Sequence, residues 1–452
     1  MAAKGGGTVY VPAGRYLCGT LGLRSNVTLW IDNGATLVMS AREADFAAPE
    51  KLDYDPKADQ ATSFFRNALL AGEDLHHIAI VGEGRIDCNS GKGSGPKSVS
   101  LKRCANVGIR GITIERARSY NISMLGCDYV SIDGVTILGG LSDGIDPDCC
   151  RHVRISNCFV ESVDDAIVLK ASAALGERRS TEHITVTNCV LRTASLFLKC
   201  GTERTGDFRN IAFSNCTLIG GMGYRHGNPG IGLYTVDGGT LEGVAISNIT
   251  MQNVGIPIAL RRGARGRGQA APQPGPLRDV TISNLVATGA RRPSVIAGLP
   301  DSRVENVSLS DITISMSEKM DVAAMPAEIP EKAGEYPDPT MFGNLPASGL
   351  YVRHASGLSL RNVEIRSLTD DGRAAVLADD VHDLRGHGVR TGRIWFHDVQ
   401  RATWLDYEHL GKGPAARFSG AASRGIVLRS ASGDPGEIQQ DSEVPPNAVR
   451  RA

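Results

Sequence analysis

The chain has 452 residues, with 49 basic and 49 acidic side chains, 53 glycines and only 5% aromatic residues. Zero net charge excludes a strongly basic nucleic-acid surface, and 41% hydrophobic content excludes a wholly disordered chain. No apolar run approaches the roughly 18 residues needed to span a bilayer.

Few aromatics imply a thin core of small and β-branched side chains. A solenoid has such a core, because it grows by adding coils. Met1 to Gly7 contains no apolar signal-peptide stretch, so these residues leave localisation undetermined. The strand-like GGGTVYVP follows almost at once. The expectation is a chain that starts without the cap an apolar solenoid end needs.

One phrase then recurs: a small or polar residue, V-x-I, a turn, and a second apolar alternation. It reads SNVTLWIDNGATL from Ser25 and HHIAIVGEGRI from His76. CANVGIRGITI from Cys104, CDYVSIDGVTI from Cys127 and CRHVRISNCFV from Cys150 follow at 23-residue intervals. It continues from Glu182, Phe208, Leu241, Leu277 and Val304. Apolar and polar residues alternate as in strands, Asn or Asp marks the turns, and no amphipathic helix separates the copies. This predicts an all-β, single-stranded, right-handed parallel β-helix, a pectin-lyase-like solenoid, over residues 1–432. Asn157, Asn188, Asn215, Asn248 and Asn284 fall at equivalent positions and are expected to form an internal amide ladder.

Ten cysteines are too few for a disulfide scaffold, and no CxxC pair occurs. Cys104, Cys127 and Cys150 align and read as stacked buried hydrophobes; a reactive thiol or metal ligand is the alternative.

The densest chemistry lies in LSDGIDPDCC from Leu141 and ESVDDAIVLK from Glu161. Asp143 follows Val130 by 13 residues, while Asp164 and Asp165 follow the equivalent Val153 by 11 and 12. Adjacent parallel strands lie about 4.8 Å apart, so all three carboxylates should meet at one corner of neighbouring coils. Crowded like charges raise at least one pKa, which suits a general acid. A partner carboxylate at roughly 6.5–9.5 Å leaves room for the water of inverting glycoside hydrolysis. A turn-capping, calcium-holding aspartate run is the competing reading. The same ruler puts Arg118, Ser119 and Tyr120 at this corner one coil earlier, and Ser195, Leu196 and Phe197 one coil later. One coil further on come Met222 to His226 in GGMGYRHGNPG, where Arg225 and His226 are candidate substrate contacts.

Downstream, LRRGARGRG from Leu260 is a basic run that can clamp a planar anion or simply be exposed. The proline-rich insertion 317–345 interrupts the repeat and is expected to be functional. The tail 433–452, rich in Asp, Glu, Pro and Gly, is expected to be disordered.

These motifs resemble the polygalacturonase group, glycoside hydrolase family 28. GGGTVYVPAGRYLCGTLGLRSNVTLWIDNGATL is similar to that family's first coils. SDGIDPD resembles its Asn-Thr-Asp-Gly-x-Asp motif, and VDDAIVLK its Gly-Asp-Asp-x-x-x-x-Lys motif. EYPDPTMFGNLPASGLYVRHASGL resembles bacterial members. The resemblance covers roughly residues 5 to 400. It implies inverting hydrolysis, with Asp164 as general acid and Asp143 and Asp165 activating the water. Asp146, Lys170, Lys199, Arg225, His226, Tyr234, Arg261 and Tyr120 are the expected substrate-binding residues.

The chain departs from the family pattern at Leu141 (Asn in the family) and Val163 (Gly). No His occurs near Thr193–Ser195, where Gly-His-Gly is expected, and no Arg-x-Lys occurs at Gly232–Tyr234. Either the basic run near Arg261 or Arg225 compensates for that lost positive charge, or the substrate is another glycoside.

The expected activity is hydrolysis of pectin-like or related acidic plant polysaccharide or its oligomers. The alternatives are a lyase or epimerase, with Lys199 or Arg118 as base and calcium required, and a non-catalytic carbohydrate-binding β-helix. A poly- or oligosaccharide is the expected partner. Nucleic acid, membrane, cofactor and metal are not expected, and the chain is expected to be a monomer. Endo or exo action is left open.

Overall fold

A computed structural model describes residues 5–89, 95–320, 328–369, 371–433 and 436–451. Packing divides them into two compact units. One holds the chain to Arg225 together with Arg267–Ala270; the other holds His226–Gly266 and the chain from Ala271 onward. Among the described residues no helix is long and apolar enough to cross a membrane.

The first unit consists of three stacks of parallel strands. Val27–Ile31, His76–Gly82, Ala105–Arg110, Asp128–Asp133, Arg151–Ser156 and Thr181–Thr187 pair in succession along the first stack. The V-x-I phrase sets this register: Val107, Val130 and Val153 are direct partners, as are Ile109, Ile132 and Ile155. These side chains are buried while their neighbours along each strand are not, as a half-covered strand requires. Each buried branched side chain contributes roughly 1.5–3 kcal/mol of apolar transfer.

The turn asparagines lie on the outside. Asn157 and Asn188 adopt φ of 58° and 55°, a left-handed corner that Asn tolerates better than most residues. Their amides bond each other at 3.4 Å on the exposed surface. The ladder is therefore external, because the left-handed turn directs the side chain away from the core. Cys104, Cys127 and Cys150 are buried, with Sγ atoms against backbone carbonyls. Burial pushes the Cys127 thiol well above its usual range, so these cysteines pack as small hydrophobes.

The third stack positions the site. Lys97–Lys102, Ile122–Leu125, Ile145–Asp148, Ile167–Ala171 and Leu198–Arg204 pair in order, and all their residues are buried. Both faces of this stack are therefore covered. The inward face packs the core, and residues 50–66 cover much of the outward face. Phe65 packs with Leu125, Cys149, Ala174 and Leu175. Tyr54 Oη donates to the Ala174 carbonyl at 2.9 Å. The Glu50 carboxylate accepts from the Phe65 and Arg66 amides at 2.8 and 3.0 Å.

The second unit repeats the plan with longer strands. Leu241–Gln252, Arg278–Ala290, Val304–Met316 and Ser359–Ser367 pair in register. The 317–345 insertion packs here: Phe342 and Leu345 join a buried cluster with Val295, Ala297, Ala347, Tyr351 and Leu377. Residues 321–327 of the insertion lie outside the described residues.

The tail expected to be disordered carries two strands. Ile438–Gln440 pairs with Ala416–Ser419, and Val449–Arg451 with Arg424–Ser430. Val444 and Ala448 are buried, so a few apolar residues within a polar sequence are enough to add a last coil.

Candidate active site

Register brings the carboxylates together. Ile122, Ile145, Ile167 and Leu198 occupy one column of the third stack. Tyr120, Asp143, Asp165 and Leu196 each stand two residues earlier, at the mouth of successive strands. Gly144 makes the close approach possible, since a Cβ there would lie 2.4 Å from the Ala166 carbonyl oxygen.

One carboxylate oxygen from each of Asp143, Asp164 and Asp165 lies within 4.8 Å of the others. Their surroundings differ. The Asp165 Oδ2 accepts from Lys199 Nζ at 2.7 Å, and its Oδ1 from Ser195 Oγ at 2.9 Å and the Leu196 amide at 3.2 Å. Burial alone would raise this carboxyl, but the Lys199 ammonium and these donors hold it below the usual carboxylate range.

The Asp143 carboxylate accepts from Lys170 Nζ at 3.1 Å. Burial, with Asp165, Asp146 and Asp164 nearby, pushes it well above the usual range. Lys170 also donates to Asp146 Oδ2 at 2.9 Å and to Tyr120 Oη at 3.1 Å. These partners keep Lys170 protonated against its burial. Burial raises both Asp143 and Asp146, and the Lys170 ammonium opposes the rise at each.

Asp164 is the exposed member. Its side chain keeps 30% of its accessible surface, against 6% for Asp143 and 5% for Asp165. Thr193 Oγ1 and Ser162 Oγ donate to its backbone carbonyl at 2.5 and 2.8 Å, which fixes the turn that presents it. Arg225 reaches it at 3.3 Å, with 47% of its own side chain exposed.

Three carboxylates this close could hold a hard cation through oxygen ligands. Lys170 and Lys199 already supply positive charge to Asp143 and Asp165, so a cation there would face two buried ammonium groups.

The structure thus brings together Asp143, Asp146, Asp164, Asp165, Tyr120, Lys170, Lys199 and Arg225 within the first unit. Asp146, Lys170, Lys199 and Tyr120 are buried at 2%, 3%, 4% and 8% exposure, so they face the carboxylates rather than solvent. Three expected substrate contacts belong to the second unit and are engaged there. His226 Nδ1 lies 3.1 Å from Asp338. Tyr234 is fully buried within the strand Pro229–Thr235. Arg261 is buried, donates to the Gly298 carbonyl at 2.7 Å and to the Glu331 carbonyl, and lies over the Phe342 ring. Arg261 and Arg262 end the strand Ile256–Arg262 and donate to backbone carbonyls, while Arg265 pairs with Asp237 and Arg267 with Asp59 and Glu203.

Lys97 and Asp148 are additional members. Lys97 occupies the Tyr120 position one coil earlier. Its Nζ donates to Ser123 at 3.0 Å and lies 3.7 Å above the Phe65 ring. Burial lowers it to about 7. Asp148 accepts from the Ser172 amide and hydroxyl, and burial raises it to about 6. The coil ruler misses Lys97, because the same count from Ile78 falls at residues 89–91; only the strand pairing of Val99 with Ile122 places it.

A model of the glycosyl hydrolases family 28 matches residues 8–329. The chain belongs to this family. It is a glycoside hydrolase, and the matched residues contain the whole carboxylate site. A probable polygalacturonase of Vitis vinifera is 23% identical over 371 residues, 77% of this chain and 74% of that protein. An endo-polygalacturonase of Pectobacterium carotovorum subsp. carotovorum is 24% identical over 276 residues, 54% of this chain and 64% of the other. Among solved structures, a hyperthermoactive exopolygalacturonase from Thermotoga maritima superposes with a TM-score of 0.62 at 19% identity. It covers 80% of this chain and 85% of that one. A polygalacturonase from Erwinia carotovora ssp. carotovora gives 0.51 at 18% identity, covering 68% and 85%. These likenesses show the parallel β-helix fold expected from the repeat.

Proposed function

We propose that this chain hydrolyses glycosidic bonds of a galacturonate-containing, pectin-like poly- or oligosaccharide with inversion. Asp164 is the general acid, and Asp143 and Asp165 hold the attacking water. The observation that carries this is the set of three carboxylates within 4.8 Å, one exposed and two buried against lysines.

Asp164 stands toward solvent, where a leaving-group oxygen can reach it. Its proton passes to that oxygen as the glycosidic C–O bond breaks. Water attacks the anomeric carbon from the opposite face and gives a proton to Asp165, which Lys199 keeps anionic. Asp143 orients the same water. A water about 2.8 Å from each of two acceptors bridges oxygens about 4.5 Å apart, which the cluster provides.

The spacing is tighter than the roughly 6.5–9.5 Å usual between inverting carboxylates. Both oxygens of Asp165 already accept hydrogen bonds, which weakens them as nucleophiles toward an anomeric carbon and leaves lone pairs to take a proton from water. Arg225, beside Asp164, supplies positive charge for a uronate carboxylate. Polygalacturonases among the relatives of this chain support that substrate class.

The test is proton NMR of trigalacturonate during hydrolysis. The reading expects the inverted anomer to appear first and mutarotate later. Initial retention would overturn the water-holding role of Asp143 and Asp165, and no cleavage of any uronate oligomer would overturn the substrate.

A further inference from the structure

An enzyme that cuts within a polymer needs a groove open on both sides of its carboxylates, so that the glycan continues past the scissile bond in each direction. In the first unit such a groove would run over the outward face of the third stack, and that face is closed. Every residue of Lys97–Lys102, Ile122–Leu125, Ile145–Asp148, Ile167–Ala171 and Leu198–Arg204 is buried. Those buried include Ser100, Ser123, Asp146 and Lys199, the polar side chains that alternate with the core residues. A close-packed covering leaves no room there for a sugar ring.

Residues 50–66 form a strap that touches this face coil after coil. Glu50 stands 3.8 Å from Lys102 Nζ. The Phe65 ring lies 3.7 Å from Lys97 Nζ and packs on Leu125 and Cys149. Tyr54 bonds the Ala174 carbonyl, and Gly176 gives its ring a place, since a Cβ there would stand 2.9 Å from it. Asp59 pairs with Arg267 at 3.5 Å, and Arg267 also reaches Glu203. The contacts thus run from Lys102 to Glu203, across the whole series of strands.

The strap is tied at its ends. The buried Glu50 carboxylate accepts from the Phe65 and Arg66 amides, which closes the loop on itself. Its reach toward the carboxylates is set by Thr62, which is 2% exposed and whose Oγ1 lies 3.4 Å from Tyr120 Oη. Tyr120 stands at the Asp143 position one coil earlier, about 4.8 Å away, and its Oη shares Lys170 Nζ with Asp143. A glycan continuing toward the earlier coils would have to replace Thr62 and Phe65. The side that stays open is the corner, where Asp164 keeps 30% of its side-chain surface and Arg225 47%.

We infer that residues 50–66 restrict this enzyme to the end of its glycan: one terminal sugar enters beside Tyr120, and the rest of the chain leaves past Asp164 and Arg225. Water is added across the bond behind that terminal sugar, so each turnover releases one uronic-acid monosaccharide and a glycan one residue shorter. The inference rests on the substrate and roles proposed above. Long loops without secondary structure are where such specificity is usually carried.

Product analysis of polygalacturonate digested by the full-length protein tests this, with early samples separated by anion-exchange chromatography and viscosity followed in parallel. Galacturonate monomer is expected as the sole short product, with viscosity almost unchanged while reducing ends accumulate. A ladder of internal oligomers with an early loss of viscosity would overturn the inference and leave the substrate reading standing. Absence of cleavage of both polymer and oligomers would overturn the substrate reading and this inference with it. A variant with residues 52–63 replaced by a short glycine linker tests the strap itself, since Glu50 and Phe65 already meet at its base. Its products should shift from monomer toward internal oligomers. A variant that melts cooperatively yet still releases monomer alone would overturn the role of the strap, and if the variant does not fold, the wild-type product pattern decides.

Discussion

Lys199→Met tests how the site keeps its base ionised. Lys199 and Asp165 are both almost fully buried and meet at 2.7 Å. Methionine keeps the length and the apolar stem but removes the charge. Asp165 then retains only Ser195 Oγ and the Leu196 amide, while its burial is unchanged. Loss of a facing cation raises a carboxyl by about 1–3 pH units, or roughly 1.4–4 kcal/mol. The acidic limb of the kcat/KM profile, set by Asp165, should move up by that amount.

Stability follows the same linkage. In the wild type the depressed pKa contributes stability above the unfolded value, and this is lost as pH falls through the lower folded value. The variant lacks that contribution. Its deficit in Tm should therefore be largest near neutral pH and shrink as the medium becomes acidic. The assay is a pH series of initial rates on trigalacturonate with matched thermal melts. An unmoved acidic limb, in a variant that still turns over, would refute the assignment of Asp165 as the anionic base.

Other predictions concern the surroundings. Lys97→Met removes a buried ammonium whose pKa falls to about 7. Because the folded value is below the unfolded one, the charged form costs stability at low pH. The variant should gain on the order of 2–4 kcal/mol at pH 7, and the gain should vanish toward pH 10.5; urea melts at both pH values would show it, and equal stabilities at pH 7 would count against the burial cost. Gly144→Ala places a methyl on the Ala166 carbonyl and should cost about 1–3 kcal/mol and distort the Asp143 corner. Melts and rates measured together check this, and a variant with wild-type Tm and rate would contradict the close approach. Chelator should leave turnover unchanged, and products should show no ultraviolet absorbance from an unsaturated sugar. Either signal would point to a lyase.

Much of this was legible in the sequence because a parallel β-helix repeats its register. Val107, Val130 and Val153 define the coil, and counting from them places Asp143 beside Asp164 and Asp165. The same count brings Ser195 and Leu196 to Asp165, where they donate the bonds that keep it ionised. Burial on the outward face was not legible. Residues 50–66 have no periodicity, so nothing local shows that Phe65 packs on Leu125, Cys149 and Lys97 or that Tyr54 bonds the Ala174 carbonyl. Arg261 resembled a free basic loop, yet its guanidinium is fixed by carbonyls distant in sequence. The asparagine ladder was right in alignment but wrong in side, because strand period does not predict a left-handed corner.

The most direct test of the central claim is the turnover of Asp164→Asn on trigalacturonate. Asparagine preserves the shape of the turn, whose hydrogen bonds from Thr193 and Ser162 go to the backbone carbonyl. The fold and melting temperature should therefore be retained. Turnover should fall by about 10²–10⁴ for loss of a general acid. A variant that turns over at the wild-type rate would contradict the account.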